Sequence, residues 1–301
     1  MYPHLFRRPK TVDITPERFT LSDGDFVDLQ WAGPTTGPLC FLFHGLEGSG
    51  HSPYITGIRS TLVSAGFQTV LMQFRGCSGV PNRLPRAYHS GDTADIREVI
   101  ADIHRRHPGR WLGAVGFSLG GNALLKYLGE EGSNSLLAHA VAISVPFNLS
   151  RCADRLGVGV SKIYAWHLLR SLHAKVALRA EDLESVGVDI SEALRSRSFR
   201  AFDEAVVAPT FGFVDAEDYY SKSSCGPFLS HIQIPTLILH AADDPFMTTD
   251  SIPTETDLSD HVTLELSQSG GHVGFVSGPC PGAARYWLDE RIRAELTSAT
   301  E

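Results

Sequence analysis

Short apolar runs alternate with longer amphipathic segments along most of the chain, the rhythm of a mainly parallel sheet wrapped by helices. "RFTLSDGDFVDLQWAG" reads as a hairpin that turns at Asp23-Gly24 or Gly24-Asp25. "PLCFLFHG", "QTVLMQF", "WLGAVGF", "LAHAVAISVPF", "IPTLILHAADD" and "HVTLELSQSGGH" read as strands. Helical patterns lie between them: "SPYITGIRSTLVSAGF", "DTADIREVIADIHRRHP" and "LGGNALLKYLGEEG", with "AARYWLDERIRAEL" closing the chain. No internal repeat or low-complexity tract interrupts this order.

One segment breaks the rhythm. From Asn148 to Phe228 no strong buried strand occurs, only helical patterns such as "KIYAWHLLRSLHAKVALRA". The expected organisation is therefore an α/β core formed by residues 1–147 and 229–301, carrying residues 148–228 as a helical insertion. Two readings of the insertion stay open: a peripheral decoration, or a cap over a substrate site.

A hydrophobic fraction of 43% suffices for a sizeable core and is too low for a membrane bundle. The net charge of -8 argues against nucleic acid or an anionic lipid surface as the main partner. Five cysteines (Cys40, Cys77, Cys152, Cys225, Cys280) show no C-x-x-C spacing, so neither a disulfide framework nor a zinc site is indicated. Cys40 reads as a small buried hydrophobe and Cys77 as structural. "MYPHLFRRPK" has no apolar signal region, and no apolar run has the length of a membrane span. The default expectation is a cytoplasmic protein without an integral membrane segment, metal or cofactor. The oligomeric state is left open.

The chemistry centres on "AVGFSLGGNALLKYLGEEG". Gly116-Phe117-Ser118-Leu119-Gly120 fits G-x-S-x-G with a strand before it and a helix after it. A nucleophile on so sharp a turn needs neighbours without bulk, and the helix N-terminus behind it favours developing negative charge. A serine hydroxyl also needs a base. In a doubly wound hydrolase the acid and the base follow the nucleophile, each beyond a later strand. Asp243 and Asp244 end one such strand, and His272 follows the last. Loop spacing favours Asp244 as the acid, with Asp243 bracing its turn through backbone amides. Two backbone N–H groups would receive an oxyanion: that of Leu119, after the nucleophile, and that of Leu46 in "HGLEGSG". Glycines 45, 48 and 50 let that loop approach closely, and His44 reads as its structural support.

The blocks "FLFHGLEGS", "FRGCSGVPNRLPRAYHSGDTADI", "GFSLGGN", "AADDPF" and "GGHVGF" resemble, in the same order, the YheT-like branch of the α/β-hydrolase superfamily, bacterial relatives of the mammalian ABHD proteins. The resemblance runs from about Leu39 to Phe275. It implies the α/β-hydrolase fold, a mostly parallel sheet flanked by helices, and carboxylic ester hydrolysis by Ser118, Asp244 and His272. Some relatives act on phospholipids or medium-chain acyl substrates, so a small-molecule acyl ester is the expected partner. Acyl transfer or thioester hydrolysis on the same three residues remains open, as does a binding protein that kept the fold without turnover. If the insertion is a cap, Phe147, Ile163, Tyr164 and Trp166 are the expected substrate-binding residues of an acyl pocket. Arg75, Arg83 and Arg86 are expected to brace their loop rather than bind an anionic substrate group. Asp92 or Thr93 is expected to cap the following helix, with Asp95 in its first turn. His104 and His107 read as solvated.

Overall fold

The computed structural model describes residues 7, 11–278 and 284–301. Cys280 and nearly all of the N-terminal decapeptide lie outside the described residues. Eight strands form one sheet: β1 (Thr15–Thr20), β2 (Phe26–Ala32), β3 (Leu39–Phe43), β4 (Gln68–Gln73), β5 (Leu112–Phe117), β6 (His139–Ile143), β7 (Thr236–Ala241) and β8 (Val262–Ser267). Their order is β1-β2-β4-β3-β5-β6-β7-β8. Strand β2 runs antiparallel to β1 and β4, and every other pairing is parallel. The expected hairpin is present, with Gly24 at φ 83° in its turn. A small pair, β9 (Val276–Ser277) and β10 (Arg285–Tyr286), had no signal in the sequence patterning.

The core helices are α1 (Pro53–Ser64), α2 (Ala94–Arg106) and α3 (Leu119–Glu131). The insertion contributes α4 (Leu149–Leu156), α5 (Ser161–Leu178), several short helical turns, and α6 (Ala216–Ser223). Helix α7 (Trp287–Ser298) closes the fold.

Side chains alternate across each strand, so a strand covered on both faces is apolar throughout. In β3, Leu39, Phe41 and Phe43 pack in the cluster with Ile96, Val99 and Ile100 of α2 and Ala123, Leu124 and Tyr127 of α3. Cys40 and Leu42 enter the opposite cluster, with Ile55, Ile58 and Leu62 of α1 and Leu288, Ile292 and Leu296 of α7. Burying each such large side chain stabilises the fold by roughly 1.5–3 kcal/mol.

The insertion has an apolar cluster of its own, from Leu149 to Tyr220. Cys225 and Leu229 already belong to the sheet's core. Leu46 of the loop after β3 and Phe246 of the loop after β7 pack against the insertion's cluster.

Strand β3 lies between β4 and β5, so the chain leaves it one way for β4 and then crosses back to β5. A crevice opens where strand order reverses, at the carboxyl ends of the strands. The loops after β3 and β5 flank it.

The expected arginine bracing is present. Arg75 is buried and donates to both oxygens of Asp95 at 2.7 Å and to Asp25 at 3.3 Å. Arg83 donates its backbone N–H to Asp25 at 3.0 Å, and Arg86 reaches Asp92 at 2.8 Å. The capping expectation for α2 is corrected. Thr93 stands at the N-cap without a side-chain cap bond, because its hydroxyl donates to Glu130 Oε2 on α3 at 2.6 Å. Asp92 is taken by Arg86. Asp95 does lie in the first turn, buried against Arg75.

Candidate active site

Ser118 occupies the turn between β5 and α3 at φ 52°, ψ -118°. A non-glycine residue in that region is strained and persists only where its surroundings hold it. Here its N–H donates to Ile143 O at 2.8 Å, and its carbonyl accepts from Asn122 N at 2.9 Å. A Cβ on Gly120 would lie 2.5 Å from His44 O, and one on Gly45 would lie 3.3 Å from Ser118 Cβ. The small residues are therefore what lets the loop after β3 lie against the turn. Gly48 and Gly50 instead meet the Tyr54 hydroxyl and the Gln30 side chain, so their crowding is internal to the protein.

The structure brings three of the sequence candidates into one line. Ser118 Oγ lies 3.0 Å from His272 Nε2, and His272 Nδ1 lies 2.9 Å from Asp244 Oδ2. Burial alone would raise the Asp244 carboxyl. The charge and hydrogen bond of His272, with the Phe246 N–H at 2.9 Å, outweigh burial and hold it below the usual carboxylate range. Asp243 does something different: its Oδ1 accepts from Gly270 N and Gly271 N, both at 2.8 Å. It braces the loop that carries His272.

Five non-glycine residues have positive φ among the described residues: Glu47, Ser118, Ser144, Val273 and Phe275. All lie in loops after β3, β5, β6 and β8, around the same crevice. Ser144 Oγ accepts from Val273 N at 3.0 Å and so fixes the histidine loop from the opposite side to Asp243. Ser144 and Val273 carried no signal in the sequence; only a positive φ marks them.

The loop after β3 holds the other candidate donor. No acceptor among the described residues pairs with the N–H of Leu46 or of Leu119. His44 is buried and fully used: Nδ1 donates to Gly45 O at 2.8 Å and Nε2 accepts from Phe74 N at 3.1 Å. Burial pushes its pKa down to about 4, so it is neutral and structural. Glu47, beside Leu46, donates its backbone N–H to Tyr88 OH at 2.9 Å. Its carboxylate accepts from Lys175 Nζ at 2.7 Å and Ser171 Oγ at 2.5 Å, both on α5. Burial opposes the Lys175 charge, but Cys77 and Glu47 beside it outweigh that and raise its pKa. Burial pushes the Cys77 thiol up to about 11, which fits a structural cysteine.

The expected acyl-wall residues separate. Tyr164 packs edge-on to Phe246 at 5.2 Å, and Phe246 lies 4.2 Å from the His272 ring. Phe147 is buried in the sheet's core and packs on His240 at 5.3 Å. Both ring nitrogens of His240 lack a partner among the described residues, and burial lowers its pKa to about 4. Ile163 and Trp166 are 66% and 59% exposed, turned to solvent rather than toward Ser118. Helix α5 buries Ser161, Ala165, Leu169 and Val176, a four-residue stripe, and positions 163 and 166 fall off it.

The sheet order and the serine turn at its switch point are those of an α/β hydrolase. A family model described as the alpha/beta hydrolase fold matches residues 38–279. YheT of Escherichia coli is 41% identical over all of this chain and 90% of its own length. Phospholipase ABHD3 of Mus musculus is 30% identical over 94% of this chain and 71% of its own. Among solved structures, the esterase Pf2001 of Pyrococcus furiosus aligns with a TM-score of 0.61 at 13% identity, covering 97% of this chain and 96% of that one. The chain belongs to the α/β-hydrolase family, in its YheT-like branch, and is a hydrolase of the esterase and lipase type. No helix of the described residues is long and apolar enough to cross a membrane.

Proposed function

We propose that this protein hydrolyses carboxylic esters through an acyl-enzyme on Ser118. The observation that carries this reading is the unbroken line from Ser118 Oγ to His272 at 3.0 Å and from His272 to Asp244 at 2.9 Å. Ser118 Oγ attacks the ester carbonyl carbon while its proton passes to His272 Nε2. Asp244 holds the imidazole in the tautomer with a proton on Nδ1 and stabilises the imidazolium that forms. The carbonyl oxygen takes the negative charge and is received by the N–H groups of Leu46 and Leu119. Loss of one such donor raises the barrier by roughly 3–4 kcal/mol. Collapse of the tetrahedral intermediate expels the alcohol, which takes the proton from His272. Water, deprotonated by the same histidine, then releases the acid.

Residues 148–228 act in this reading as a cap, because their cluster reaches Leu46 on one side of Ser118 and Phe246 on the other. Tyr164 and Phe246 give the acyl side of the site an aromatic wall. Ile163 and Trp166, being exposed, have no part in it. The relatives' names support an acyl ester of the lipid kind: phospholipase ABHD3, and a monoacylglycerol lipase of Saccharomyces cerevisiae that is 32% identical over 85% of this chain. A second reading, acyl transfer to an alcohol, is favoured by one similar yeast protein named medium-chain fatty acid ethyl ester synthase/esterase 2.

A series of p-nitrophenyl esters of increasing acyl length tests the proposal, with ethanol added as a competing acceptor. Ser118→Ala lowers kcat by roughly 10⁴-fold or more. Near-native turnover by the folded Ser118→Ala protein overturns the mechanism.

A further inference from the structure

The exposed side of α5 belongs to a groove that the ester chemistry leaves unused. A cavity of about 800 Å³ lies between α5 and residues 194–199, floored by Leu156, Ala165, Leu169 and Phe199. Trp166 forms part of its wall, and Ile163 and Val160, 66% and 67% exposed, stand on the adjoining surface. Four cations line it: Lys162, Arg170, Arg195 and Arg197. None of the four pairs with a carboxylate among the described residues, and no acidic residue lines the cavity. Arg170 lies over the Trp166 ring at 5.1 Å.

The local charge runs against the whole. Of the six Lys and Arg in residues 149–179, Arg151, Lys175 and Arg179 are paired with carboxylates, and residues 180–192 hold five acids, so the unpaired positive charge is concentrated at the groove, within a chain of net charge -8. Helix α5 itself has no Asp or Glu. Beyond a Debye length of about 8 Å, charges are largely screened, so a surface in contact with this face meets the cations and not the chain's average. Unpaired cations beside exposed tryptophan and aliphatic side chains match the two layers of a bilayer interface, anionic headgroups above acyl chains.

We propose that this face docks the protein on bilayers containing anionic phospholipid. A headgroup phosphate enters the groove among Lys162, Arg170, Arg195 and Arg197. Trp166, Ile163 and Val160 enter the boundary between headgroups and acyl chains. Because α5 also packs toward the loops beside Ser118, docking here would deliver lipid near the crevice.

Vesicle flotation of the full chain tests this without any turnover, so its outcome is separate from that of the ester mechanism. Wild-type protein is expected to float with vesicles of phosphatidylcholine and phosphatidylglycerol and not with phosphatidylcholine alone. The Arg195→Gln/Arg197→Gln protein, shown folded by circular dichroism, is expected to bind roughly 30-fold more weakly. Trp166→Ala is expected to weaken binding further, and raised salt to release the wild type. Equal flotation with both vesicle types overturns the proposal, as does no flotation with either. Binding of monomeric short-chain phosphatidylglycerol without vesicle binding overturns it too. So does a concentration-dependent dimer that Trp166→Ala dissolves, which would make this face an interface between copies.

Discussion

Lys175 Nζ on α5 donates to Glu47 Oε1 at 2.7 Å, joining the insertion to the residue that follows Leu46. Glu47 holds a positive φ of 55°, and Ser171 and Tyr88 hold it from two further directions. The insertion thus reaches the loop proposed to bind the oxyanion through a half-buried charge pair, not only through apolar contact.

That link predicts a kinetic signature. Glu47→Ala and Lys175→Met should each lower kcat by roughly 10- to 100-fold with little change in KM, because a misplaced donor is felt mainly in the transition state. Lys175→Arg should recover part of the loss. Steady-state kinetics on a short p-nitrophenyl ester check this, and a change confined to KM would mean that the pair serves substrate binding instead.

The two adjacent aspartates should differ sharply. Asp244→Asn leaves His272 in the wrong tautomer and should cost roughly 10⁴-fold in kcat. Asp243→Ala removes two bonds to the histidine loop, and should lower stability while the folded fraction loses far less activity. Matched measurements of melting temperature and kcat decide it. The reverse ranking would move the acid to Asp243.

The insertion should loosen as pH rises. Burial pushes Asp203 up to about 7, despite a hydrogen bond from Tyr220 OH at 2.7 Å and the nearby Arg200 charge. A carboxyl with a raised folded pKa contributes stability that is complete below its unfolded value of about 4 and lost as pH climbs through about 7. The full effect is on the order of 4 kcal/mol. His44 acts in the other direction: with its folded pKa near 4, stability present above about 6.5 is lost as pH falls. Melting curves of wild type and Asp203→Asn between pH 4 and pH 8 test the first statement. The Asn protein should lose the decline that the wild type shows between about pH 4 and pH 7, and identical curves would contradict it.

Much of this site was legible in the chain because local chemistry marks it. The apolar runs that became β3 to β8 end where turn residues follow, and Ser118, Asp244 and His272 stand just beyond three of them. Asp243 was readable as a brace because a carboxylate beside a turn seeks backbone amides. Trp166 and Ile163 were misplaced for a physical reason: apolar residues occur all round α5, so no stripe announces its buried face. Thr93 has the right residue type for a cap, but Glu130 on α3 competes for its hydroxyl. Glu47 was invisible because its partner lies 128 residues away. Contacts of that kind are written by the fold.

The central claim, that Ser118 is the nucleophile activated by His272, is met most directly by a fluorophosphonate followed by peptide mass spectrometry. One adduct on Ser118 is expected, accompanied by loss of esterase activity. It should be absent from Ser118→Ala and formed at a small fraction of the native rate in His272→Ala. An active, folded protein that carries the adduct elsewhere, or that stays unlabelled while hydrolysing esters, would contradict the account.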